Sequence, residues 1–311
     1  MTQTSITPVS FKDFSADFAG FSDALGQSFA RYGFAVISDH DLDQIRVEAA
    51  GTAAKAFFAL PEDIKRSYIT STGGQRGYTA FGIETAKGGL HFDLKEFWHT
   101  GRDLPQGHPF CEVMPANVWP AEVPEFHSQV AWLYQSLDAL GQRVLEAIAV
   151  YLKLDRGFFS TAVDDGNSIL RMLHYPPVPL DGPNIRAGAH EDINVITLLL
   201  GAEEAGLEVL DRDGAWLAIN PPPGSVVCNI GDMLQRLTNR VLPSTTHRVV
   251  NPVPERRGLP RYSTPFFLHF NPDFEITTLK SCVSSDRPLI YPKTISAHDF
   301  LHERLREIKL L

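Results

Sequence analysis

The sequence predicts a mainly β protein with flanking helices, an α+β arrangement built on one β-rich core. Three observations carry that expectation. After residue 166 the chain breaks into short apolar runs separated by Pro, Gly and Asp, the texture of an all-β sandwich or barrel. Before it, residues 122–154 hold one long apolar stripe at helical spacing. The composition is that of an ordinary folded chain, with 311 residues, 43% hydrophobic and 21% charged, and it contains no short-period repeat or low-complexity tract.

In chain order, "GFAVI" (33–37) is a compact β-prone run, and the helix that follows it is expected from about Asp43 to near Pro61. Residues 70–90, rich in Gly and Thr, read as an irregular loop region of the kind that covers a site. Leu133, Leu137, Leu140, Val144, Ile148 and Leu152 then recur every three or four positions, and Trp132 and Leu145 widen the stripe. That pattern predicts a scaffold helix without a chemical role. In the tail, Ser296 three residues ahead of Asp299 is a capping-box-like start for a closing helix.

The formal charge of −9 disfavours a sequence-independent nucleic-acid binder, which needs surplus Lys and Arg on one face. Any bound anion therefore needs a local site. Only Cys111, Cys228 and Cys282 occur, an odd and widely spaced set, so neither a disulfide framework nor a CxxC knuckle is expected. The opening residues lack a signal-peptide pattern and no apolar run approaches membrane-spanning length. A cytoplasmic protein without a membrane, nucleic-acid or obligate protein partner is the expectation.

Chemistry concentrates in "AGAHEDINVITLLL" (187–200). In an extended strand His190 and Asp192 point the same way and Glu191 the opposite way. An imidazole nitrogen and a carboxylate on one face suit a borderline divalent metal such as iron(II), with a third ligand still to be found. His247 in "LPSTTHRVVNP" is the candidate, on a strand expected beside the first. Two histidines and one carboxylate on one side of a metal leave the other side open for chemistry, whereas a structural zinc is closed by four ligands, typically with cysteine. Further on, Arg261 and Ser263 share a strand face in "RYSTPFF". A guanidinium fork and a hydroxyl make a carboxylate clamp. The pair His91 and Asp93 repeats the H-x-D spacing without a partner histidine, and is read as structural or as bordering the substrate. The segment carrying Lys95 and Glu96 is read either as rimming a pocket together with the 70–90 loop or as held by a local Lys95–Glu96 pair, and His269 as facing either the cavity or solvent.

With these residues in view, the chain resembles the iron(II) and 2-oxoglutarate-dependent dioxygenases of the isopenicillin N synthase-like group. The likeness extends to "YGFAVISDHDL", "FFALPEDIKRSY", "RGYTAFGIE" and "DLKEFW" in the first half and to most of 206–252 in the second. It implies a double-stranded β-helix, or jelly roll, with an N-terminal region over 1–120, a scaffold helix over 121–160, the catalytic core over 161–280 and a C-terminal segment and helix over 281–311, forming one unit. It implies that His190, Asp192 and His247 ligate iron(II), that Arg261 and Ser263 bind the distal carboxylate of 2-oxoglutarate, and that Tyr175 adds a phenolic hydrogen bond. The group often has Asn two residues before that tyrosine, where this chain has Leu173. Arg171 is similar to a basic residue often found on that strand. The implied activity uses dioxygen and couples decarboxylation of 2-oxoglutarate to succinate with hydroxylation, desaturation or cyclisation of a small molecule. Two alternatives stand beside it: a 2-oxoglutarate-independent iron oxidase, like isopenicillin N synthase or aminocyclopropane carboxylate oxidase, and a catalytically silent jelly-roll binding protein.

Overall fold

The computed structural model describes residues 6–72, 74–84, 92–178, 185–200 and 206–307. The N-terminal third runs β1 (Pro8–Ser10), α1 (Asp13–Ala16), α2 (Phe18–Tyr32), β2 (Phe34–Ser38), α3 (Gln44–Phe58), α4 (Glu62–Arg66), β3 (Gly77–Thr79) and β4 (Glu96–Gly101). The scaffold helix is α5 (Phe126–Tyr151), followed by α6 (Ser160–Val163). The β-rich part runs β5 (Ile169–Tyr175), β6 (Ala187–His190), β7 (Ile196–Leu200), β8 (Leu207–Leu210), β9 (Trp216–Ala218), β10 (Val226–Ile230), α7 (Asp232–Leu237), β11 (His247–Val249) and β12 (Arg261–Leu268). The hairpin strands β13 (Glu275–Ile276) and β14 (Ile295–Ser296) and the closing helix α8 (Ala297–Glu307) complete the chain.

Local chemistry accounts for most helix ends. The Asp43 side chain accepts from the backbone N–H groups of Ile45 and Arg46 and so starts α3 where the sequence places it. Ser296 Oγ accepts from the Asp299 N–H at 3.1 Å and donates to the Asp299 carboxylate at 2.8 Å, the expected start of α8. Leu133, Leu137, Leu140, Val144, Leu145 and Ile148 of α5 and Leu152 at its C-cap are buried, with Trp132 half-buried at the edge of the stripe, which fits its scaffold role. Neither α2 nor α7 was predicted. In α2 the glycines and serines mask the apolar spacing, and α7 has only six residues inside a stretch that otherwise reads as strands.

Two sheets enclose the interior. The larger has the order β1-β2-β10-β7-β12-β5-β4-β3, and the smaller has the order β6-β11-β8-β9. The strands β1 to β4 therefore extend the same sheet as the later ones. Outside the large sheet, α2, α3 and α5 pack Phe29, Phe57, Leu137 and Ile148 against the outward side chains of the strands, including Leu170, Leu198 and Phe266. Between the sheets, Phe34, Val36, Leu207, Val209, Ile219 and Val227 form a second apolar cluster that fills one part of the interior. Together the sheets and flanking helices make the jelly-roll core expected from the resemblance. No described helix is long and apolar enough to cross a membrane.

One expectation is corrected here. His190 and Asp192 do not share one extended strand. His190 ends β6 in the small sheet, β7 belongs to the large sheet, and Asp192 lies in the turn joining them. Sequence pattern does not reveal this change of sheet, because which sheet each strand joins is set by its pairing with β11 or with β10 and β12, far along the chain.

The turn is pinned from below at Gly231, whose N–H donates to the Val195 carbonyl at 2.9 Å. The next residue, Asp232, donates its N–H to the Asp192 carbonyl at 2.8 Å. A Cβ at Gly231 would lie 2.0 Å from the Asn194 carbonyl oxygen, so backbone must separate to admit it. Gly231→Ala is expected to destabilise the protein by about 1–3 kcal/mol, an overpacking cost, read as a lower urea midpoint with unchanged slope.

Candidate active site

The three sequence-predicted metal-binding residues converge. His190 and His247 are register partners in the antiparallel pair β6 and β11, with ring centroids 4.4 Å apart. Asp192 Oδ1 lies 3.7 Å from His190 Nε2 and 3.8 Å from His247 Nε2. One donor atom from each residue falls within 4.8 Å of the others, and among the described residues no other group of His, Cys, Asp and Glu is so arranged.

Backbone geometry sets which atoms face the centre. His190 Nδ1 is 2.7 Å from the Gly188 carbonyl and His247 Nδ1 is 3.1 Å from the Thr245 carbonyl. A carbonyl can only accept, so both rings carry the proton on Nδ1 and present the Nε2 lone pair inward. Asp192 divides its oxygens in the same way. Oδ2 accepts from Thr197 Oγ1 at 2.6 Å and from Asn229 Nδ2 at 2.8 Å, while Oδ1 faces the histidines. Burial, then the neighbouring His247, lowers the His190 pKa to about 4, so the ring is neutral at pH 7. Burial opposes ionisation of Asp192, but the adjacent imidazoles and the Thr197 and Asn229 hydrogen bonds overcome it and hold the carboxyl below its ordinary range. Two imidazole Nε2 atoms and one carboxylate, gathered on one side and oriented by outer hydrogen bonds, fit a divalent iron with open positions.

Thr197 and Asn229 were missed by sequence reasoning. Each interrupts an apolar strand, Thr197 within "VITLLL" and Asn229 within "VVCNI". A polar side chain in such a run needs a buried partner, and that signal was available.

Arg261 and Ser263 lie on β12 and are 3% and 6% exposed, sharing the inner face as expected. Arg261 stands opposite Tyr175 across the β12–β5 ladder, with its guanidinium carbon 5.0 Å from the centre of the tyrosine ring. Ser263 stands opposite Leu173. Tyr175 is thus beside Arg261 and buried at 2% exposure. His174 points the other way, with Nδ1 2.7 Å from Glu96 Oε1.

The N-terminal segment brings a second polar group to the interior. Glu84 meets Lys95 at 3.3 Å and Arg171 at 3.3 Å, and Lys95 also pairs with Asp93 at 2.9 Å. Burial opposes ionisation of Glu84, yet Arg171 and Lys95 hold it well below its ordinary range. Asp93 accepts from the Gly188 N–H at 3.0 Å and so braces β6, a structural role; His91 lies outside the described residues. The expected Lys95–Glu96 pair does not form. Successive residues of an extended chain face opposite sides, so Lys95 faces inward while Glu96 bonds Lys65 at 2.7 Å, the Tyr78 hydroxyl and His174 on the outer side. His269 is buried and faces the interior, with Nδ1 3.0 Å from the Phe267 carbonyl.

Three of these histidines are pushed towards neutrality by burial: His190 and His269 to about 4, and His99 well below its ordinary value. Their pKa values are depressed, so between pH 6.5 and about 4 the unfolded chain binds protons that the folded chain refuses. Asp232, raised to about 6 by burial, offsets one of the three below pH 6. The metal-free protein is therefore expected to lose about 2–3 kcal/mol of stability per pH unit between pH 6 and 4.5, measured by urea unfolding across that range.

Known proteins agree with this geometry. Residues 166–270 match the 2OG-Fe(II) oxygenase superfamily model, and residues 8–122 match the model for the N-terminal region of non-haem dioxygenases in morphine synthesis. The 2-oxoglutarate-Fe(II) type oxidoreductase hxnY of Emericella nidulans is 35% identical over 273 residues, covering 84% of this chain and 77% of its own. A 2-oxoglutarate-Fe(II) type oxidoreductase of Aspergillus fumigatus is 32% identical over 96% of this chain and 93% of its own. Among solved structures, a 2OG-Fe(II) oxygenase family protein from Caulobacter crescentus superposes with a TM-score of 0.92 at 66% identity, covering 97% of this chain and 99% of its own. Neurospora crassa T7H in complex with alpha-KG superposes at 0.85 with 29% identity, covering 97% and 95%. Fold, gathered donor set and relatives agree: the chain belongs to the 2-oxoglutarate and iron(II)-dependent oxygenases and is an enzyme of that class.

Proposed function

We propose that His190 Nε2, Asp192 Oδ1 and His247 Nε2 hold the iron(II) of this oxygenase, and that Arg261 and Ser263, with Tyr175 alongside, hold the distal carboxylate of 2-oxoglutarate. The observation that carries the reading is the division of labour on Asp192, where one oxygen is saturated by Thr197 and Asn229 and the other faces two imidazole lone pairs. Iron(II), 2-oxoglutarate and dioxygen bound together supply oxidative decarboxylation to succinate and carbon dioxide, coupled to oxidation of a C–H bond in the substrate.

The chain's own residues position and enclose that chemistry. The Nδ1 bonds of both histidines fix ring orientation, which favours metal capture by lowering the ordering cost. A buried guanidinium with a hydroxyl two residues away presents a directional pair of donors to a carboxylate, better suited than a lysine to fix the orientation of a diacid. The apolar cluster of Phe34, Val36, Leu207, Val209 and Val227 keeps water from one side of the centre, and Phe34 packs edge-on against His247 at 5.4 Å.

We read the substrate as a small molecule. A Neurospora crassa T7H structure contains alpha-KG and thymine, and rice flavanone 3-dioxygenase 2 is 30% identical over 89% of this chain, which supports that class without choosing within it. The unbonded cysteines, with Cys228 and Cys282 buried, accord with a reducing compartment, and we assign the protein to the cytoplasm. The strands β1 to β4 extend the core sheet, which supports treating the segments 1–120, 121–160, 161–280 and 281–311 as parts of one unit.

His190→Ala and Asp192→Ala are expected to abolish stoichiometric iron(II) binding under anaerobic conditions, and undiminished affinity in either variant overturns the ligand assignment. Thr197→Val should weaken iron(II) about 10- to 100-fold, the usual loss for a group bonded to a ligand, by competition with a chelator. For the clamp, Arg261→Ala should raise the KM for 2-oxoglutarate at least tenfold in a succinate assay; an unchanged KM removes Arg261 from it.

A further inference from the structure

The polar group beside the centre contains one donor that bonds to no described residue. Arg171 is 19% exposed in its side chain. Its Nε donates to His99 Nε2 at 2.6 Å and its Nη1 to Glu84 at 3.3 Å. Its Nη2 donates to no described protein atom and is not sealed from solvent. The guanidinium carbon lies over the Phe97 ring at 4.2 Å and the Phe267 ring at 5.2 Å from their centres. His99 is fixed in turn, because Nδ1 lies 2.6 Å from the Gly74 carbonyl and must donate to it, leaving Nε2 to accept. The arginine is thus preorganised rather than mobile.

Position follows from register. Arg171 shares the inner face of β5 with Leu173 and Tyr175, the residues opposite Ser263 and Arg261. Phe267, on which Arg171 rests, pairs with Thr197 across β12 and β7, and Thr197 bonds Asp192 at 2.6 Å. Arg171 therefore stands on the strand next but one to Thr197, with β12 between them, and four residues along β5 from Tyr175 and the Arg261 that faces it.

We propose that Arg171 is the substrate-recognition residue of this enzyme, and that its Nη2 donates to a neutral carbonyl oxygen on a substrate with an otherwise apolar body. Apolarity follows from Phe97, Leu173 and Phe267 beside the donor. Neutrality follows from charge. Lys95 and Arg171 are already balanced by Glu84 and Asp93 within one connected set of ion pairs. A substrate carboxylate would add an uncompensated negative charge beside Glu84, whereas a carbonyl uses the donor without altering the balance.

The inference rests on the triad holding iron(II), so the test separates the two. Wild-type protein, Arg171→Met and Arg171→Lys are loaded anaerobically with iron(II) and 2-oxoglutarate, and the visible absorption of the chelate confirms loading. Cyclohexanone and cyclohexanecarboxylate are the probes, and binding is read from the extra proton relaxation caused by paramagnetic iron, against a zinc-loaded control. Cyclohexanone should bind wild type at least tenfold more tightly than the carboxylate. Both variants should keep the chelate absorption and lose about tenfold or more in cyclohexanone affinity, the size of one charge-assisted hydrogen bond; the lysine variant keeps the charge opposite Glu84. Equal cyclohexanone affinity in the variants, tighter binding of the carboxylate, or no relaxation effect in loaded wild type overturns the proposal. Absence of the chelate absorption in wild type overturns instead the reading of the centre.

Discussion

The structure turns on the pairing of β6 with β11. That short antiparallel ladder sets His190 opposite His247, and everything at the centre is arranged around the two rings. Register is unforgiving here, since a slip of one residue would turn a histidine to the other face. The carboxylate arrives from outside the ladder, at the turn where the chain leaves the small sheet for the large one. Its place is secured by side chains of two strands in the large sheet, Thr197 of β7 and Asn229 of β10. The centre is therefore a joint between the sheets, and its geometry is only as good as their docking.

That joint explains the investment around it. Gly231 allows α7 to approach the turn, Asp93 reaches from the N-terminal segment to the backbone of β6, and Arg304 of α8 pairs with Asp232 at 2.8 Å. Segments from both ends of the chain thus brace the same few residues. The N-terminal strands do more than cover the core, because Glu84, Lys95 and His99 carry the polar network that orients Arg171 beside the centre.

The interior is divided by chemistry as well as by space. An apolar cluster lies behind His247, a buried arginine and serine lie on β12, and a charge-balanced set of side chains lies around Arg171. An oxygenase needs this separation, since the cosubstrate is a dianion and the oxidised molecule must be held independently of it.

Much of this was legible in the sequence, because local patterns report local constraints. The spacing of His190, Asp192 and His247 and the pair Arg261 and Ser263 are sequence features, as are the scaffold helix and the caps of α3 and α8. The sequence also determined that the interior would be apolar and the core β-rich. Tertiary structure alone decided that His190 and Asp192 belong to a junction between sheets and that Arg171 keeps one donor without a partner among the described residues. Each of these depends on contacts between residues tens of positions apart, and such contacts are chosen by the docking of whole sheets rather than by the propensities of neighbouring residues.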